Sequence, residues 1–349
     1  MFAYDGDGGI NVRAAVLNGP GDLQVLDKPL PEPGAVDVLV RVEYCGICGS
    51  DLHAYKSGMF PFGLTIGHEY AGVIEAVGSA VKGWAPGQRI TGTASLACRA
   101  CPSCRGGRDN ICEAMNVIGV TREGAMAEYL LTPAASLLAV PASMPLEFAA
   151  LVEPLSVALH GVDLAAAAPG DTAVIIGGGT LGLCTLAELK RLGLKAVYMV
   201  ELNEARAAVA AAMGADAVLN PERENVDNRL SALTGGAGAD LVFECVGLPD
   251  TIRDAANMAR QGGSVVVLGI CEVPVELFFL GLVTREIQLR TSYGSTAREF
   301  KRALDLLASK EIDLRTIVTR IVSLEQVMEQ GFTPLLEQGS TEIKILVKC

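Results

Sequence analysis

Positive charge is scarce in this chain. Its 28 lysines and arginines are outnumbered by 40 aspartates and glutamates, which gives a formal net charge of −12. An acidic surface repels nucleic-acid phosphates and anionic membranes, so neither is expected as a partner. Aromatic residues make up only 5% of the chain, so aliphatic side chains must form most of the core. Histidine occurs three times, at His53, His68 and His160, and each is therefore worth placing.

Long apolar runs and targeting signals are also missing. No apolar run is expected to be long and uninterrupted enough to span a bilayer. The first residues, MFAYDGDGGI, have neither the basic start nor the apolar stretch of a secretory signal, and we expect a short flexible leader there. A chain of 349 residues, half of them hydrophobic, has room for about two domains. These features predict a cytoplasmic protein.

The pattern of apolar residues changes near residue 150. Before about residue 140, short β-type runs such as VDVLVRVEYC and AGVIEAVG are broken by Gly and Pro. After it, helix patterns alternate with near-continuous apolar strands, which is typical of a buried parallel sheet between helices. The predicted strands are 172–176, 196–200, 240–245 and 264–268, a late helix is predicted over 297–309, and a final strand near 342–348.

A glycine-rich turn follows the first of these strands. Gly177, Gly179 and Gly182 form a G-x-G-x-x-G pattern between a strand and a helix, the context that a dinucleotide fingerprint requires. The glycines allow close approach of a pyrophosphate, which the helix N-terminus then favours. Glu201 ends the next strand, where a carboxylate accepts hydrogen bonds from ribose hydroxyls and repels a 2′-phosphate. NAD is therefore expected rather than NADP, although Arg206 nearby is a residue type that can pair a phosphate.

Four cysteines lie close together in a polar, arginine-rich stretch. Thiolates at this spacing can complete one tetrahedral shell, as structural zinc sites do. An iron–sulfur cluster also takes four cysteines, but it has no evident role beside a dinucleotide fold. A structural zinc ion is therefore predicted. The four are Cys98, Cys101, Cys104 and Cys112.

A second set of metal-ligand types is dispersed along the chain. A catalytic zinc takes about three protein ligands and keeps one position open. The segment CGICGSDLH offers Cys45 and Cys48, GHE offers His68 and Glu69, and Glu153 precedes a proline. Taken singly, these residues are equally consistent with core packing or a helix start, so spacing alone leaves the metal undecided.

The order of these motifs resembles the zinc-containing medium-chain alcohol dehydrogenases. The runs CGICGSDLH, GHEYAGVIEAVG, the four-cysteine lobe, EPLSVALH and GGGTLG carry the resemblance, which covers nearly the whole chain from about residue 12. Within that family the chain is similar to the polyol branch, which includes sorbitol and 2,3-butanediol dehydrogenases, because Glu153 stands where the ethanol-type enzymes have Cys.

The resemblance implies roles for individual residues. Cys48, rather than Cys45, falls on the catalytic zinc ligand, and either Glu69 or Glu153 is expected to join His68. Ser50 falls on the proton-relay hydroxyl, Asp51 on the partner of the ligand histidine, and His53 on the residue that passes the proton to solvent. The implied reaction is reversible oxidation of a secondary alcohol to a ketone, with two zinc ions per chain and NAD as hydride acceptor. Further cofactor contacts implied are Thr180, Leu181, Glu201, Arg206, Leu268, Gly269, Ile270 and the segment Tyr293–Ser295.

The resemblance also implies an architecture. A Rossmann-type doubly wound parallel sheet, 157–289, would be inserted into a GroES-like β-rich catalytic domain, 1–156 and 290–349, that bears the structural zinc lobe. A homodimer or homotetramer is expected. Gly294 stands where sorbitol dehydrogenase has an Arg that helps to hold a polyol, which favours a smaller or less polar diol.

Three other functions share part of this pattern. Threonine dehydrogenases are similar, but their third segment differs from EPLSVALH. A non-catalytic NAD-binding protein on the same fold would be expected to lack Cys48, Ser50 or His68, and all three are present. A zinc-lobe protein that reads nucleic acid conflicts with the acidic charge.

Overall fold

The structure, a computed structural model, describes residues 3–4 and 10–349. Most of the predicted flexible leader lies outside the described residues. The chain forms two compact units, and the second is inserted into the first. The first unit comprises Met1–Glu153, Thr296–Lys310 and Val318–Cys349, and the second comprises Pro154–Ser295 and Glu311–Ile317.

The first segment is rich in short strands, as its broken apolar runs predict. Its helices are few and short. The longest of them begins at Gly49 after Cys48 and ends at Gly58, whose φ of 72° is the left-handed conformation that glycine adopts readily. The strands are β1 (Ala3–Tyr4), β2 (Ile10–Gly19), β3 (Asp22–Pro29), β4 (Asp37–Gly46), β5 (Leu64–Thr65), β6 (Glu69–Val77), β7 (Arg89–Gly92), β8 (Ser95–Leu96), β9 (Asn116–Val117), β10 (Tyr129–Pro133) and β11 (Leu137–Ala139); the helices are α1 (Gly49–Ser57), α2 (Pro102–Arg105) and α3 (Leu146–Ala149), with 3-10 turns at Asp109–Ile111 and Ala134–Ser136.

The inserted unit alternates helices and strands. Two of its four predicted strands have the predicted bounds, and the other two begin one and five residues earlier. The strands near 217 and 288 were not predicted, because each is short. The elements are α4 (Val152–Ala165), β12 (Thr172–Ile176), α5 (Thr180–Leu192), β13 (Ala196–Val200), α6 (Glu204–Ala212), β14 (Ala217–Leu219), α7 (Val226–Thr234), β15 (Ala239–Glu244), α8 (Pro249–Met258), β16 (Ala259–Val267), α9 (Phe279–Thr284) and β17 (Gln288–Thr291).

The closing segment returns to the first unit. Its long helix begins at a capping box, in which the Glu299 carboxylate accepts a hydrogen bond from the Thr296 backbone N–H at 2.8 Å. The elements are α10 (Ala297–Ser309), β18 (Val318–Ser323), α11 (Thr333–Leu336) and β19 (Lys344–Lys348), with 3-10 turns at Arg315–Ile317 and Leu324–Gln326 and a π-helical turn at Val327–Phe332.

In the first unit, a seven-stranded sheet runs in the order β11-β7-β6-β4-β19-β18, and β10 also pairs with β4. Strand β4 is antiparallel to both β6 and β19. At its end, Gly46 lies opposite Glu69 on one side and opposite Leu346 on the other. Residues that are distant in sequence therefore meet where β4 ends, between its two neighbouring strands. A second sheet contains β1, β2, β3 and β5. Strands β8 and β9 pair with each other in a separate two-stranded sheet.

In the inserted unit, a six-stranded sheet runs in the order β14-β13-β12-β15-β16-β17, and all of its pairs are parallel. Its central strands are buried, as their near-continuous apolar runs predict. The sheet explains why the unit extends past the predicted boundary at residue 289. Strand β17 pairs with β16, so the chain as far as Ser295 stays with this unit, and the short stretch Glu311–Ile317 belongs to it as well.

One helical stretch, Leu146–Ala165, is long and apolar enough to cross a membrane when judged by length and composition alone. The prediction that no apolar run is long and uninterrupted enough to span a bilayer is therefore contradicted for length and mean composition, although Glu147, Glu153 and Asp163 interrupt this stretch. In the structure 61% of its apolar window is buried, and the buried core helices of soluble proteins pass the same test. Residues Leu151, Leu155 and Leu159 in this stretch are fully buried, which is the packing of a core helix.

The amino ends of three central strands are joined by Asp240. Its carboxylate accepts hydrogen bonds from the Thr172 backbone N–H at 2.7 Å and from Arg260 Nε at 2.6 Å. Burial opposes ionisation, but Arg260 and the Thr172 N–H outweigh it and lower the pKa of Asp240. Its charged form is therefore favoured by folding.

We expect Asp240→Asn to lower the free energy of unfolding by about 1–2 kcal/mol near pH 7, since it loses charge-assisted hydrogen bonds that are partly exposed. Because the pKa is lower in the folded state, this stabilisation is present above the unfolded pKa of about 3.9 and is lost as the pH falls through the folded value. Urea denaturation of the wild type and the variant at pH 7 measures the loss of stability, and the same comparison at pH 3 measures its dependence on pH. Asp305→Asn, which disrupts an exposed pair with Lys301, is the control and should change stability by less than about 0.5 kcal/mol; equal losses in both variants would contradict this role.

Candidate metal centres and dinucleotide site

The four predicted lobe cysteines come together in the structure. Their sulfur atoms all lie within 4.8 Å of one another, with Cys98 Sγ 4.0 Å from Cys104 Sγ and Cys101 Sγ 3.9 Å from Cys112 Sγ. The loop that carries them includes α2 and the 3-10 turn at Asp109–Ile111. All four thiols are free. A set of four clustered sulfur donors has the chemistry of a closed zinc site.

Backbone N–H groups point at these sulfur atoms. Cys98 Sγ accepts hydrogen bonds from the N–H groups of Ala100 and Cys101, at 3.4 and 3.3 Å. The Ala100 and Cys101 N–H groups lower the pKa of Cys98. In the same way, N–H groups of Cys104 and Glu113 lower the pKa of Cys101 to about 6. At Cys98 and Cys101 the loop thus favours the thiolate, the form of cysteine that binds metal, whereas burial and the neighbouring thiols raise the pKa of Cys104 to about 12.

A second cluster consists of Cys48, His68 and Glu69. One ligand atom from each lies within 4.8 Å of the others. Cys48 is the N-cap of α1, and Glu69 is the first residue of β6. The end of β4 leads directly into Cys48, so the pairing of β4 with β6 is what brings these two segments together. One thiolate, one imidazole and one carboxylate are a donor set that catalytic zinc takes.

Helix α1 places polar groups around His68. The buried Asp51 carboxylate accepts a hydrogen bond from the Cys48 N–H at 2.9 Å, and its other oxygen lies 3.7 Å from His68 Nδ1. Ser50 Oγ lies 3.5 Å from His68 Nε2. His53 is three residues further along, on the same side of the helix as Ser50. The Asp51 carboxylate therefore faces the Nδ1 side of the His68 ring without a hydrogen bond to it, and the Ser50 hydroxyl stands on the Nε2 side.

Glu69 has a partner that the sequence analysis did not identify. Both of its carboxylate oxygens accept hydrogen bonds from Lys344 Nζ, at 2.8 and 2.7 Å, and the two side chains are 1% and 2% exposed. Gly46 provides the space for this carboxylate, because a Cβ built there would lie 2.0 Å from Glu69 Oε2. The available signal was the lysine that begins the strand KILVK, directly before three apolar residues.

Glu153 and Cys45 lie outside the ligand-spaced cluster. Glu153 is in the first turn of α4. Burial raises the pKa of Glu153 to about 7, and the nearby charge of Glu69 adds to the rise; a cation beside it would lower that pKa. Cys45 belongs to β4, is fully buried in the core, and lies beneath Gly67, where an added Cβ would come within 2.7 Å of its sulfur. Burial raises the pKa of the Cys45 thiol well above its usual range.

The glycine-rich turn between β12 and α5 has the geometry that requires glycine. Gly177 has a φ of 99°, and a Cβ on Gly182 would lie 1.9 Å from the Gly177 carbonyl oxygen. At Gly179, the N-cap of α5, a Cβ would meet no atom within 4 Å. The backbone thus turns tightly and presents the start of a helix, which is the arrangement that binds a pyrophosphate.

The acidic residue predicted to mark the adenosine ribose lies against this turn. Glu201 Oε2 accepts a hydrogen bond from the Gly178 N–H at 2.6 Å, and Glu201 Oε1 accepts one from the Asn203 N–H at 2.7 Å. Arg206 lies in the first turn of α6, whose N-cap is Asn203. The carboxylate is therefore fixed beside the glycine loop, as a ribose-binding acid must be.

The remaining predicted cofactor residues lie near the carboxyl ends of the strands. Thr180 and Leu181 begin α5. The segment Leu268–Ile270 directly follows β16, and Tyr293 follows β17 and is exposed. Sequence reasoning missed Glu244, a fully buried carboxylate at the end of β15. It accepts hydrogen bonds from the Val246 and Gly247 N–H groups at 2.9 and 2.8 Å and from Thr251 Oγ1 at 2.8 Å, so it shapes the loop at this edge of the sheet.

Family models match both parts of the chain. The alcohol dehydrogenase GroES-like domain matches residues 34–142, and the zinc-binding dehydrogenase domain matches residues 180–309. Among curated relatives, L-threonine 3-dehydrogenase of Chromobacterium violaceum is 30% identical and covers 94% of this chain and 97% of its own length. A protein of Arthroderma otae named D-xylulose reductase A is 33% identical and covers 91% and 92%.

Solved structures share the whole fold. A Sinorhizobium meliloti zinc-binding dehydrogenase bound to NADP is 34% identical, with a TM-score of 0.90 over 97% of this chain and 99% of its own. An Escherichia coli alcohol dehydrogenase complexed with NADH is 26% identical, with a TM-score of 0.91 and the same coverage. The 2R,3R-butanediol dehydrogenase of Bacillus subtilis is 29% identical, with a TM-score of 0.89, also over 97% and 99%.

The chain therefore belongs to the zinc-containing medium-chain alcohol dehydrogenases and is similar to their polyol branch. It is an oxidoreductase with a GroES-like domain and a Rossmann-type parallel sheet.

The two thiols of the CGICG segment should behave differently. We expect Cys48→Ala to abolish turnover and to lose one of two zinc ions, because its sulfur lies within the ligand-spaced cluster, while NADH still binds at the glycine loop. Cys45→Ala is the matched control, and it should keep most of its activity with a packing cost of about 1 kcal/mol. Metal analysis, turnover and NADH fluorescence titration measure these effects. An active Cys48 variant with a dead Cys45 variant would overturn the ligand assignment.

Proposed function

We propose that this enzyme transfers a hydride reversibly between NAD and a small secondary alcohol or diol, and that it holds two zinc ions per chain. The observation that carries the proposal is the cluster of Cys48, His68 and Glu69 with the Ser50 hydroxyl beside it. The four-cysteine lobe would hold the second, structural ion. All ten cysteines lie in the described part of the chain and none forms a disulfide, which fits a reducing compartment such as the cytoplasm.

The proposed ligands of the catalytic zinc are Cys48, His68 and one carboxylate, either Glu69 or Glu153. Glu69 has the shorter spacing to the other two. Zinc bound there would act as a Lewis acid on the alcohol oxygen. Asp51 orients the His68 ring from behind, which fixes the direction in which its other nitrogen points.

Ser50 is the proposed first acceptor of the alcohol proton. Its hydroxyl can both accept and donate a hydrogen bond, so it can pass a proton on without becoming charged. His53, on the same side of α1, would deliver that proton to solvent, since imidazole is the side chain that titrates near neutral pH. Both residues are partly exposed in the described chain, as a relay to water requires.

The proposed cofactor is NAD. Glu201 carries a negative charge next to the glycine loop, where the 2′-phosphate of NADP would be repelled. The relative from S. meliloti is bound to NADP and that from E. coli to NADH, so the family accommodates both cofactors and the residues of this chain must decide between them.

The proposed substrate is smaller or less polar than a sugar alcohol. Gly294, at the position where the resemblance places a polyol-holding Arg, has a φ of 57°. A residue with a side chain is strained in that conformation, so the backbone here favours glycine. L-threonine is the second candidate, because curated relatives carry that name.

A substrate panel with both cofactors tests the reaction and the cofactor together. We expect kcat/KM for NAD to exceed that for NADP with a small diol such as 2,3-butanediol, and Glu201→Gln to narrow the gap by weakening the repulsion. Glu204→Gln, which removes a neighbouring exposed carboxylate on α6, is the control and should leave the ratio unchanged. Equal or better turnover with NADP in the wild type would refute the cofactor assignment, and L-threonine as the best substrate would refute the diol.

We propose further that the enzyme is a homo-oligomer, a dimer or a tetramer, built through an apolar edge at α9 and β17. One side of β17 pairs with β16, and no strand within the described part of the chain pairs with the other side. Beside it, Phe278, Phe279 and Val283 are 76%, 66% and 67% exposed. Open strand edges and large exposed apolar patches favour association, and the same strand in a second copy can pair across a two-fold axis.

Val283→Glu should dissociate the oligomer at this edge, because it would bury a charge at the interface. Val36→Glu is the matched control, since Val36 is 61% exposed but lies in a turn of the first unit, and it should leave the oligomer intact. Sedimentation velocity measures the mass of each variant. A monomeric wild type, or a Val283→Glu protein with the mass of the wild type, would refute the interface.

A further inference from the structure

We propose that Lys344 is a positioning residue of the catalytic metal centre, and that its ammonium group joins the two chain segments that carry the ligands. The inference rests on the proposed metal site at Cys48 and His68. It concerns a residue that touches neither the metal nor the substrate and that acts through its neighbours.

The geometry of Lys344 connects β19, β6 and the short loop that follows β4. Its Nζ donates to the backbone carbonyl of Ile47 at 2.8 Å and to the two Glu69 oxygens at 2.8 and 2.7 Å. Ile47 immediately precedes Cys48, and Glu69 immediately follows His68. Lys344 itself begins β19, from the far end of the chain. One side chain therefore holds the segment of the thiolate ligand and the segment of the imidazole ligand at a fixed separation.

All three N–H donors of the ammonium have an acceptor in this arrangement. Lysine has three donors and no acceptor, and the three acceptors are one carbonyl and two carboxylate oxygens. The group is fully satisfied and is buried, with the side chain only 2% exposed. Lysine is among the residues that are almost never fully buried unless paired, so its burial at this point indicates a specific role.

Stability alone is a weak reason for this pair. The cost of removing two charges from water often exceeds their attraction, so buried ion pairs are frequently no more stabilising than apolar residues of similar volume. What the pair does provide is orientation. A Cβ at Gly46 would lie 2.0 Å from Glu69 Oε2, so position 46 offers no side chain that could hold the carboxylate, and Lys344 is the group that does.

The test is the affinity of each zinc site, measured by competition with a chromophoric chelator. We expect Lys344→Met to weaken zinc binding at the Cys48 site by about 10- to 100-fold, the usual effect of losing a partner that orients a ligand, and to leave the four-cysteine zinc unchanged. Lys348→Met is the matched control, because Lys348 lies in the same strand and is exposed, and it should change neither affinity. An unchanged Cys48 site, or equal weakening of both sites, would overturn the proposal.

A double variant separates positioning from folding. If Lys344 acts through Glu69, then Lys344→Met combined with Glu69→Gln should weaken the site no more than the larger single effect, because both changes break the same link. Additive losses would refute the link. If Lys344→Met fails to fold, the double variant takes its place in the assay. It removes both buried charges, so it is expected to be less destabilised than the single variant. Wild-type affinity for zinc at the Cys48 site in the double variant would then overturn the proposal.

Cys48→Ala in the same assay distinguishes this inference from the proposed function. If Cys48→Ala keeps both zinc ions, the proposed metal site is wrong and the role of Lys344 falls with it. If Cys48→Ala loses one ion while Lys344→Met binds it with wild-type affinity, the metal site stands and only the role of Lys344 is refuted.

Discussion

The hydrogen-bonded register of β4 between β6 and β19 is the constraint on which the metal-binding part of this enzyme depends. Gly46, at the end of β4, lies opposite Glu69 on one side and Leu346 on the other. A shift of one residue would turn every side chain to the opposite face of the sheet and would separate the segments that bear the thiolate and the imidazole. The chemistry therefore depends on the pairing of strands that lie far apart in the sequence.

Negative charge accumulates at this end of the first unit's sheet. Asp51, Glu69 and Glu153 are carboxylates close to His68, and the ammonium of Lys344 is the basic side chain bonded to one of them. Carboxylates this close together in a low-dielectric setting repel one another. A divalent cation would relieve that repulsion. This is the physical reason to interpret the cluster of Cys48, His68 and Glu69 as a metal site rather than as a hydrogen-bond network that only stabilises the fold.

In the inserted unit, buried glutamates accept hydrogen bonds from the backbone of the loops that follow the strands. Two carboxylates, Glu201 and Glu244, lie at the carboxyl ends of β13 and β15, where their oxygens accept hydrogen bonds from backbone N–H groups. These bonds hold the loops that follow each strand. The side of a parallel sheet that binds nucleotides is therefore shaped by buried acids as well as by glycines.

Much of this could be predicted from the sequence, because the signals are local. The four-cysteine lobe is encoded within fifteen residues, and the glycine turn by a strand, six residues and a helix. The strands 172–176 and 196–200 have the predicted bounds, since a fully buried strand is a short continuous apolar run. The short strands β14 and β17 escaped prediction, because a few apolar residues with no clear alternation look the same in a loop.

The sequence by itself determined the residue types available for chemistry: the thiols, the two candidate glutamates, the hydroxyl proposed as a proton relay and the acid that follows β13. The tertiary structure decided which of them meet. It placed Cys45 in the core and Cys48 in the cluster, set Glu69 closer to the ligands than Glu153, and brought Lys344 from the end of the chain to Ile47 and Glu69. Those choices depend on the pairing of β4 with β6, which are separated by a helix and a loop, and on the pairing of β4 with β19 from the far end of the chain. The local pattern of apolar and polar residues does not specify either pairing.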